Sequence, residues 1–535
     1  MDEKRAAGIG LLPRPSPVET TPEEPVSSTA DVAPTQQHIR GSSLLLGGRF
    51  VSLALALVTE TALVRLLSKT DYGALAFALS VVAIGGTAAA LGLDKSAGRF
   101  VPIYEEEGRS DRVMSSIATM TAAMLLAGLA LMVPLLVLGD RLPEELVGRG
   151  ETLVLVLFVA ALIPLSALSS LAVALLTIFI PPRALLFQRY VFAPGIKLLA
   201  IGAALVLSDS VELVAVAYVF SAAAALALYS ATLVRILWRR RLLSQVRPRL
   251  MAHTAREIIP FTLPLMSTDV VFVLRTSLLI VALQAISGSI ASAEYRAVVP
   301  LAQQNTLVLD TFAFLFVPLA ARLYARRDRA GVHDLYWRSA VWVAVMNFPV
   351  FAATFALAGP ITILLYGEQY ASSAPVLAVL ALGFYANAAL GFNGITLRVY
   401  GRVRFLVVAE AMSVVVGVAL GLVLIAYAGA LGAAFSFLAT MLLQNVLYQF
   451  GMYRIGLVKR SDTRVIRTYA GIVVCALGLF ALQSATGMPL IVGLGIAFWL
   501  WIAIIYVNRD HLQIAETFPE LAIADPRRWF RGRAG

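Results

Sequence analysis

Cysteine is almost absent from this chain: Cys475 is the only one in 535 residues, which excludes a disulfide framework and a cysteine-based metal site. Histidine is nearly as scarce, and His38, His253, His333 and His511 fall in tail and loops without ligand spacing. There is no Gly-rich loop ending in Lys-Ser/Thr, so the chain does not hydrolyse ATP. No Ser-His-Asp arrangement is visible, and neither a catalytic residue nor a cofactor is expected. Charged residues make up 14% of the chain against 59% hydrophobic, with a mean hydropathy of +0.82. Ordinary soluble domains carry roughly 25% charge, so this chain would run out of polar surface in water. The formal net charge of +11 does not make a nucleic-acid interface, because its cations lie in short loops between apolar runs.

Lysine and arginine are also missing from every second loop. The stretches near residues 209, 287, 366, 428 and 486 have none, and two others hold only Arg65, Lys69, Arg141 and Arg149. The intervening loops are rich in them, from Lys95 to Arg112, Arg183 to Arg189, Arg235 to Arg256, Arg322 to Arg338, Arg398 to Arg404 and Arg454 to Arg467. Basic juxtamembrane residues stay on the cytoplasmic side, and a span needs about 20 apolar residues. The pattern predicts an all-α polytopic membrane protein with about fourteen transmembrane helices and both termini cytoplasmic. Spans are expected near 42–67, 72–93, 112–138, 151–176, 186–208, 212–237, 258–286, 292–320, 336–358, 372–397, 405–427, 430–453, 467–485 and 489–508.

The organisation expected from this pattern has six parts. Residues 1–40, rich in proline, serine, threonine and glutamate, read as a disordered cytoplasmic tail with no signal-peptide core. A six-helix lobe over 41–240 is joined by a basic linker, 241–256, to a second over 257–455. Two additional helices occupy 456–508, and 509–535 form a cytoplasmic amphipathic tail whose Arg527-Arg528-Trp529-Phe530-Arg531 suits an anionic membrane surface. The lobes resemble each other. Asp71-Tyr72 follow the first helix as Glu294-Tyr295 follow the seventh, and the same shift of 223 takes Arg99 onto Arg322 and Asp111 onto Asp334. Copies with an even number of spans enter the membrane in the same direction, with a substrate path at their interface.

Ionisable groups inside spans are costly unless paired or wet, which makes each a functional candidate. Arg49 and Glu60 are eleven residues apart, about three turns, and share a face of the first helix. Arg296, Gln303 and Asp310 recur at seven-residue spacing in the eighth, Asp269 and Arg275 lie in the seventh, Lys197 in the fifth and Glu410 in the eleventh. Asn347, Asn387, Asn393, Gln444 and Asn445 add neutral polar groups. Buried guanidinium and ammonium groups suit a phosphate or pyrophosphate. Carboxylates in the same cavity would titrate, bind Na+, or neutralise the cations while the site is empty. The bland alternative is bonding between helices, or snorkelling for residues near a boundary.

Several short runs, taken in order, resemble a known family. They are Leu67-Ser68-Lys69-Thr70-Asp71-Tyr72-Gly73; Gly92-Leu93 with Arg99-Phe100 and Tyr104; Pro260-Phe261 and Leu263-Pro264; and Tyr295 to Pro300. Phe384-Tyr385, Gly391-Phe392-Asn393-Gly394 and Tyr400-Gly401 complete the set. Together, over about residues 40 to 508, they resemble polysaccharide-type flippases of the multidrug/oligosaccharidyl-lipid/polysaccharide exporter superfamily. The resemblance implies two six-helix lobes in a V around a central cavity, plus two helices. It also implies movement of an undecaprenyl-(pyro)phosphate-linked oligosaccharide by alternating access, often coupled to H+ or Na+. On that reading Arg49, Lys197, Arg275, Arg296 and Gln303 hold the substrate, while Glu60, Asp269, Asp310 and Glu410 serve as ion-coupling or counter-charge residues. Expected partners are the lipid-linked substrate, membrane lipids, and a polysaccharide polymerase and glycosyltransferases.

Three rival readings remain in view. A lipid II flippase of the same superfamily would have similar cavity chemistry. A multidrug exporter usually has about twelve spans and an acid-dominated cavity, which the extra helices and basic residues here disfavour. From another class, a multispan glycosyltransferase or polysaccharide polymerase would need a large outer loop with catalytic side chains, and the outer loops here are short.

Overall fold

The computed structural model describes residues 32–138, 152–208, 210–245, 247–457 and 463–509. Most of the expected N-terminal tail, the Asp140–Glu151 connector and nearly all of the expected C-terminal tail lie outside them. All regular structure among the described residues is helical. Hydrocarbon offers no partner to backbone N–H and C=O groups, and a helix satisfies them within one segment.

The first half of the chain contributes α1 (Val32–Leu66), α2 (Lys69–Ala90), α3 (Leu93–Glu106), α4 (Ser110–Leu138), α5 (Thr152–Phe179), α6 (Pro182–Leu207) and α7 (Val211–Arg239). The second half contributes α8 (Pro248–Gln303), α9 (Leu307–Ala325), α10 (Arg329–Phe351), α11 (Ala358–Tyr366), α12 (Ala374–Leu390), α13 (Phe392–Val399) and α14 (Val403–Arg454). Last come α15 (Thr463–Thr486) and α16 (Leu490–Val507). Thus α1 already begins within the last residues assigned to the tail.

Eleven helical stretches among the described residues are long and apolar enough to cross a membrane, where the sequence predicts about fourteen. The difference has a geometric origin. α14 runs through two expected spans and α8 through one and into the next, broken inside at Gly429 (φ 53°) and Gly288 (φ 80°) respectively, and α1 is not among the eleven. Glycine enters this left-handed region without a Cβ penalty, so the chain turns sharply with almost no loop. In α14 the result is an antiparallel hairpin: Ser436 Oγ donates to the Gly417 carbonyl at 2.6 Å. A Cβ on Gly417 or Gly421 would press on Thr440 or Ser436 of the other leg, so this small-xxx-small pair is a packing seam within the chain.

The principal core joins both halves, with Leu63, Tyr72, Leu75 and Val214 packed in one cluster with Tyr295, Val298, Leu377 and Phe437. The two final helices pack on the second half, where Ile472, Leu479 and Ile504 meet Phe348 and Tyr385. Trp501 donates to the Val345 carbonyl at 2.9 Å.

One irregularity positions the site. Between α8 and α9 the helix tightens into a 3-10 turn at Gln304–Thr306, a departure that often marks a hinge. Asn305 pins it, donating to Thr354 Oγ1 at 2.9 Å and to the Ala302 carbonyl at 3.0 Å. Thr354 belongs to a π-helical turn, Ala352–Ala356, that ends α10. Two defects in neighbouring helices are thus fastened to each other.

Candidate functional site

At the cation-poor end, the halves are tied by polar contacts. Ser68 caps α2: its hydroxyl accepts from the Asp71 amide at 3.1 Å and donates to the Asp71 carboxylate at 2.7 Å. Lys69, Thr70 and Asp71, which lie between the spans expected near 42–67 and 72–93, therefore belong with Tyr72 to the first turn of a helix. This capping aims Tyr72 inward and brings Gly73 against the Ser289 backbone at the start of the second leg of α8. Lys69 Nζ reaches Glu294 Oε1 at 2.9 Å, and Ser372 donates to the same oxygen at 2.5 Å. Arg65 donates to the Leu365 carbonyl at 2.7 Å and to that of Leu364, covering the exposed carbonyls at the negative end of α11. A Cβ on Gly73 would collide with the Ser289 carbonyl. Gly73→Ala is therefore expected to cost about 1–3 kcal/mol of overpacking and to expose this end to water-soluble thiol reagents placed at a Ser289→Cys probe. Unchanged labelling and thermal stability would show that the close approach is not required.

Beneath these contacts lies a buried charge cluster. Arg296 Nη2 is 3.7 Å from Glu60 Oε1, with side-chain exposures of 26% and 13%, and Tyr72 donates to the same Glu60 oxygen at 2.5 Å. Lys197 lies over the Tyr218 ring, 4.4 Å from its centroid, and interacts electrostatically with both Glu60 and Arg296. Three expected site residues from α1, α6 and α8 therefore meet at one place, two cations around one carboxylate.

A cavity of about 500 Å³ opens further along. Arg49 from α1, Arg275 from α8, Gln303 and Asp310 line it, joined by Gln304, Thr306 and Asn387, with Phe50, Phe384 and Met441 as apolar wall. Arg49 Nη2 lies 3.1 Å from Asp310 Oδ2, and both side chains are about half exposed, at 57% and 45%. Arg275 donates through Nη1 to Gln444 Oε1 at 2.9 Å. Gln444 in turn donates to the Tyr448 hydroxyl at 3.0 Å. Glu410 faces Arg275 and Arg398 electrostatically behind this wall. Asn445 bridges Asn387 (3.2 Å) and Asn393 (3.1 Å). A pair of guanidinium groups with neutral amides around them can hold an anion together with sugar hydroxyls.

Asp269 lines a different cavity, of about 390 Å³, with Asp94, Lys95, Ser166 and Ser170. Lys95 Nζ is 2.5 Å from Asp269 Oδ1. A neighbouring space of about 580 Å³ shares Asp94, Lys95 and Ser170 and adds Arg189 and Tyr229. Lys95 and Arg189 count as loop cations in the sequence reading. The signal that would have placed Lys95 is Gly92 just before it: with φ 68° it turns the chain straight into α3, so Asp94 and Lys95 face the bundle. Family-like motif residues also meet here, as Phe261 packs edge-on against Phe100 at 5.4 Å and Arg99 lies 4.3 Å from the Phe261 centroid. No group of three or more His, Cys, Asp and Glu side chains among the described residues is placed to hold a metal ion.

A polytopic helical bundle whose halves meet around charged cavities has the architecture of a membrane transporter, and solved structures share it. The lipid II flippase MurJ in an inward closed conformation is 14% identical, covers 88% of this chain and 99% of its own, and superposes with a TM-score of 0.66. A multidrug resistance MATE family transporter of the MOP superfamily, inward-facing, is 15% identical over 76% of this chain and 94% of its own, with a TM-score of 0.61. A MOP superfamily transporter from Pyrococcus furiosus, described as having a binding pocket of reverse polarity, is 15% identical over 79% and 96%, with a TM-score of 0.52. These likenesses show the fold. No curated protein sequence matches the chain. The model of the polysaccharide biosynthesis protein family matches residues 39–323. The chain belongs to that family, and is a flippase-type transporter of the MOP superfamily.

Proposed function

We propose that this transporter carries a lipid-linked oligosaccharide, joined to an undecaprenyl-type carrier through phosphate or pyrophosphate, across the cytoplasmic membrane by alternating access, for cell-surface polysaccharide biosynthesis. The observation that carries this reading is the cavity in which Arg49 and Arg275 face one space with Gln303 and Asn387. Guanidinium forks match phosphate oxygens, and the amides and Thr306 can bond sugar hydroxyls. Glu60, Arg296 and Lys197 serve as the lock between lobes at the periplasmic end. The cation-rich loops, with both termini, lie in the cytoplasm by the positive-inside rule. Asp269, Asp310 and Glu410 are the carboxylates available for H+ or Na+ coupling. A polymerase and glycosyltransferases are the partners such a pathway would supply.

Ligand-dependent stability distinguishes the readings. In detergent, a polyprenyl-pyrophosphate oligosaccharide is expected to raise the thermal midpoint in proportion to the logarithm of its concentration above Kd. A neutral glycolipid and a lipophilic cationic drug should leave it unchanged. Stabilisation by the drug alone would favour multidrug export instead. Lipid II, whose pyrophosphate is the same, is separated by its peptide: equal stabilisation by both lipids would mean the cavity reads only phosphate and carrier.

A further inference from the structure

Exposure sets the Arg49–Asp310 pair apart from the Glu60–Arg296 pair, which likewise ties α1 to the second half of the chain. The Arg49–Asp310 pair lies in the open cavity with both side chains about half exposed, whereas Glu60 and Arg296 are largely buried. It also joins the two halves of the chain, α1 to α9, at the wall of that cavity. Exposed pairs hold weakly, so this contact is easily exchanged for another. Asp310 is the one carboxylate among the described residues lining the cavity. A carboxylate presents two oxygens to a guanidinium much as a phosphate does.

We infer that Asp310 is an intramolecular stand-in for the anionic headgroup. It occupies the Arg49 guanidinium while the cavity is empty and gives it up when a phosphate arrives. Loading then does two things at once: the headgroup takes the Arg49 fork, and the bridge between α1 and α9 is severed. The geometry around Asp310 suits such a release. It is carried on the first turn of α9, just after the 3-10 turn Gln304–Thr306. Asn305 fastens that turn to Thr354, so the α9 side can swing while the leg bearing Arg296 stays locked to Glu60. The second cavity repeats the pattern, with Lys95 from α3 held by Asp269 from α8. Substrate anion thereby acts as the key that frees one half from the other at the loading end only. This inference rests on the proposed anionic substrate.

The test uses the full chain in lipid nanodiscs, titrated with farnesyl pyrophosphate and, separately, with inorganic pyrophosphate. If Asp310 holds Arg49 about nine-tenths of the time, freeing the seat raises apparent affinity about tenfold. Asp310→Asn is thus expected to bind farnesyl pyrophosphate about tenfold more tightly than wild type, and Asp310→Glu, which keeps the stand-in, to bind like wild type. Arg49→Gln should bind more weakly, and Arg49→Gln with Asp310→Asn no more tightly than Arg49→Gln alone, because Asp310 acts only through Arg49. The same gain with inorganic pyrophosphate would mean that the seat reads phosphate itself; a gain confined to farnesyl pyrophosphate would mean a lipid headgroup. Both support the stand-in. Spin labels at Gly47→Cys, a position with open space around it, and Val317→Cys, 43% exposed, in a Cys475→Ser background report the bridge directly. Farnesyl pyrophosphate should separate them, and Asp310→Asn should separate them without ligand. If Asp310→Asn binds no more tightly while Arg49→Gln still weakens binding, the stand-in is wrong and the anion seat stands. If wild type and Asp310→Asn bind neither anion, the anionic-substrate reading fails and the stand-in fails with it.

Discussion

Arg275→Ala is expected to slow flipping of a polyprenyl-pyrophosphate oligosaccharide in proteoliposomes by at least tenfold at matched protein density. Removing one partner of a hydrogen-bonded charge pair costs about 2–5 kcal/mol, and every 1.4 kcal/mol is about a factor of ten. Arg275 is the second guanidinium of the cavity and the one whose direction is fixed, through Gln444 and behind it Tyr448. Arg275→Lys should retain part of the rate, since an ammonium supplies the charge without the fork. The substitution also leaves Glu410 without one of the two cations that face it, so lost stability has to be separated from lost transport. Glu410→Gln with Arg275→Gln is expected to recover the thermal midpoint but not the flipping rate. Wild-type flipping by Arg275→Ala would remove this residue from the substrate path.

Glu60→Ala should produce the largest loss of stability. It strips the one carboxylate from between Arg296 and Lys197, and breaking a buried pair from one side costs about 3–5 kcal/mol because the remaining charge is uncompensated. Arg296→Gln in the Glu60→Gln background is expected to be milder than Glu60→Ala, the non-additivity of groups in contact. The measurement is thermal unfolding of wild type, Glu60→Ala and the double variant in the same detergent, with thiol accessibility of a Ser289→Cys probe to show whether the cation-poor end has opened. Equal stability of Glu60→Ala and wild type would mean that the cluster holds nothing together.

The helical, many-span character of the fold was legible because hydrocarbon leaves a chain few alternatives, and the loop cations followed the same constraint. Span positions were legible too, but not all of their ends: α1 begins at Val32 and α8 at Pro248, inside the stretches expected as tail and basic linker, and at Gly288 and Gly429 a single glycine replaces the loop that hydropathy leads one to expect. The charged candidates were also visible, since each lies in an otherwise apolar run. Their grouping was not. Arg296, Gln303 and Asp310 read as one stripe, but a straight helix over fourteen residues spans about 21 Å, and the 3-10 turn at Gln304–Thr306 bends it between them. Arg296 therefore belongs to the buried cluster, and Gln303 and Asp310 to the cavity. Arg49 and Glu60 share a helix face yet serve those same two places, about 16 Å apart along α1. Periodicity gives the face of a helix and not the depth at which its partner arrives. Asn305 and Thr354 carried no sequence signal at all, because a buried amide closing a helical defect resembles any other polar residue in a span.

On the proposed function, an anionic lipid-linked glycan crosses through this cavity only when the contacts between the lobes at the cation-poor end let go. The direct measurement is flipping of a fluorescent polyprenyl-pyrophosphate oligosaccharide in proteoliposomes by a chain carrying Lys69→Cys, Glu294→Cys and Cys475→Ser, joined by a bifunctional methanethiosulfonate and then released by reduction. Lys69 and Glu294 meet across the two halves through the tips of two long side chains, a span that a linker bridges and a direct disulfide does not, so the linker should lock that end. Flipping is expected to stop in the cross-linked protein and to return on reduction. Undiminished flipping by the fully cross-linked protein would contradict the account.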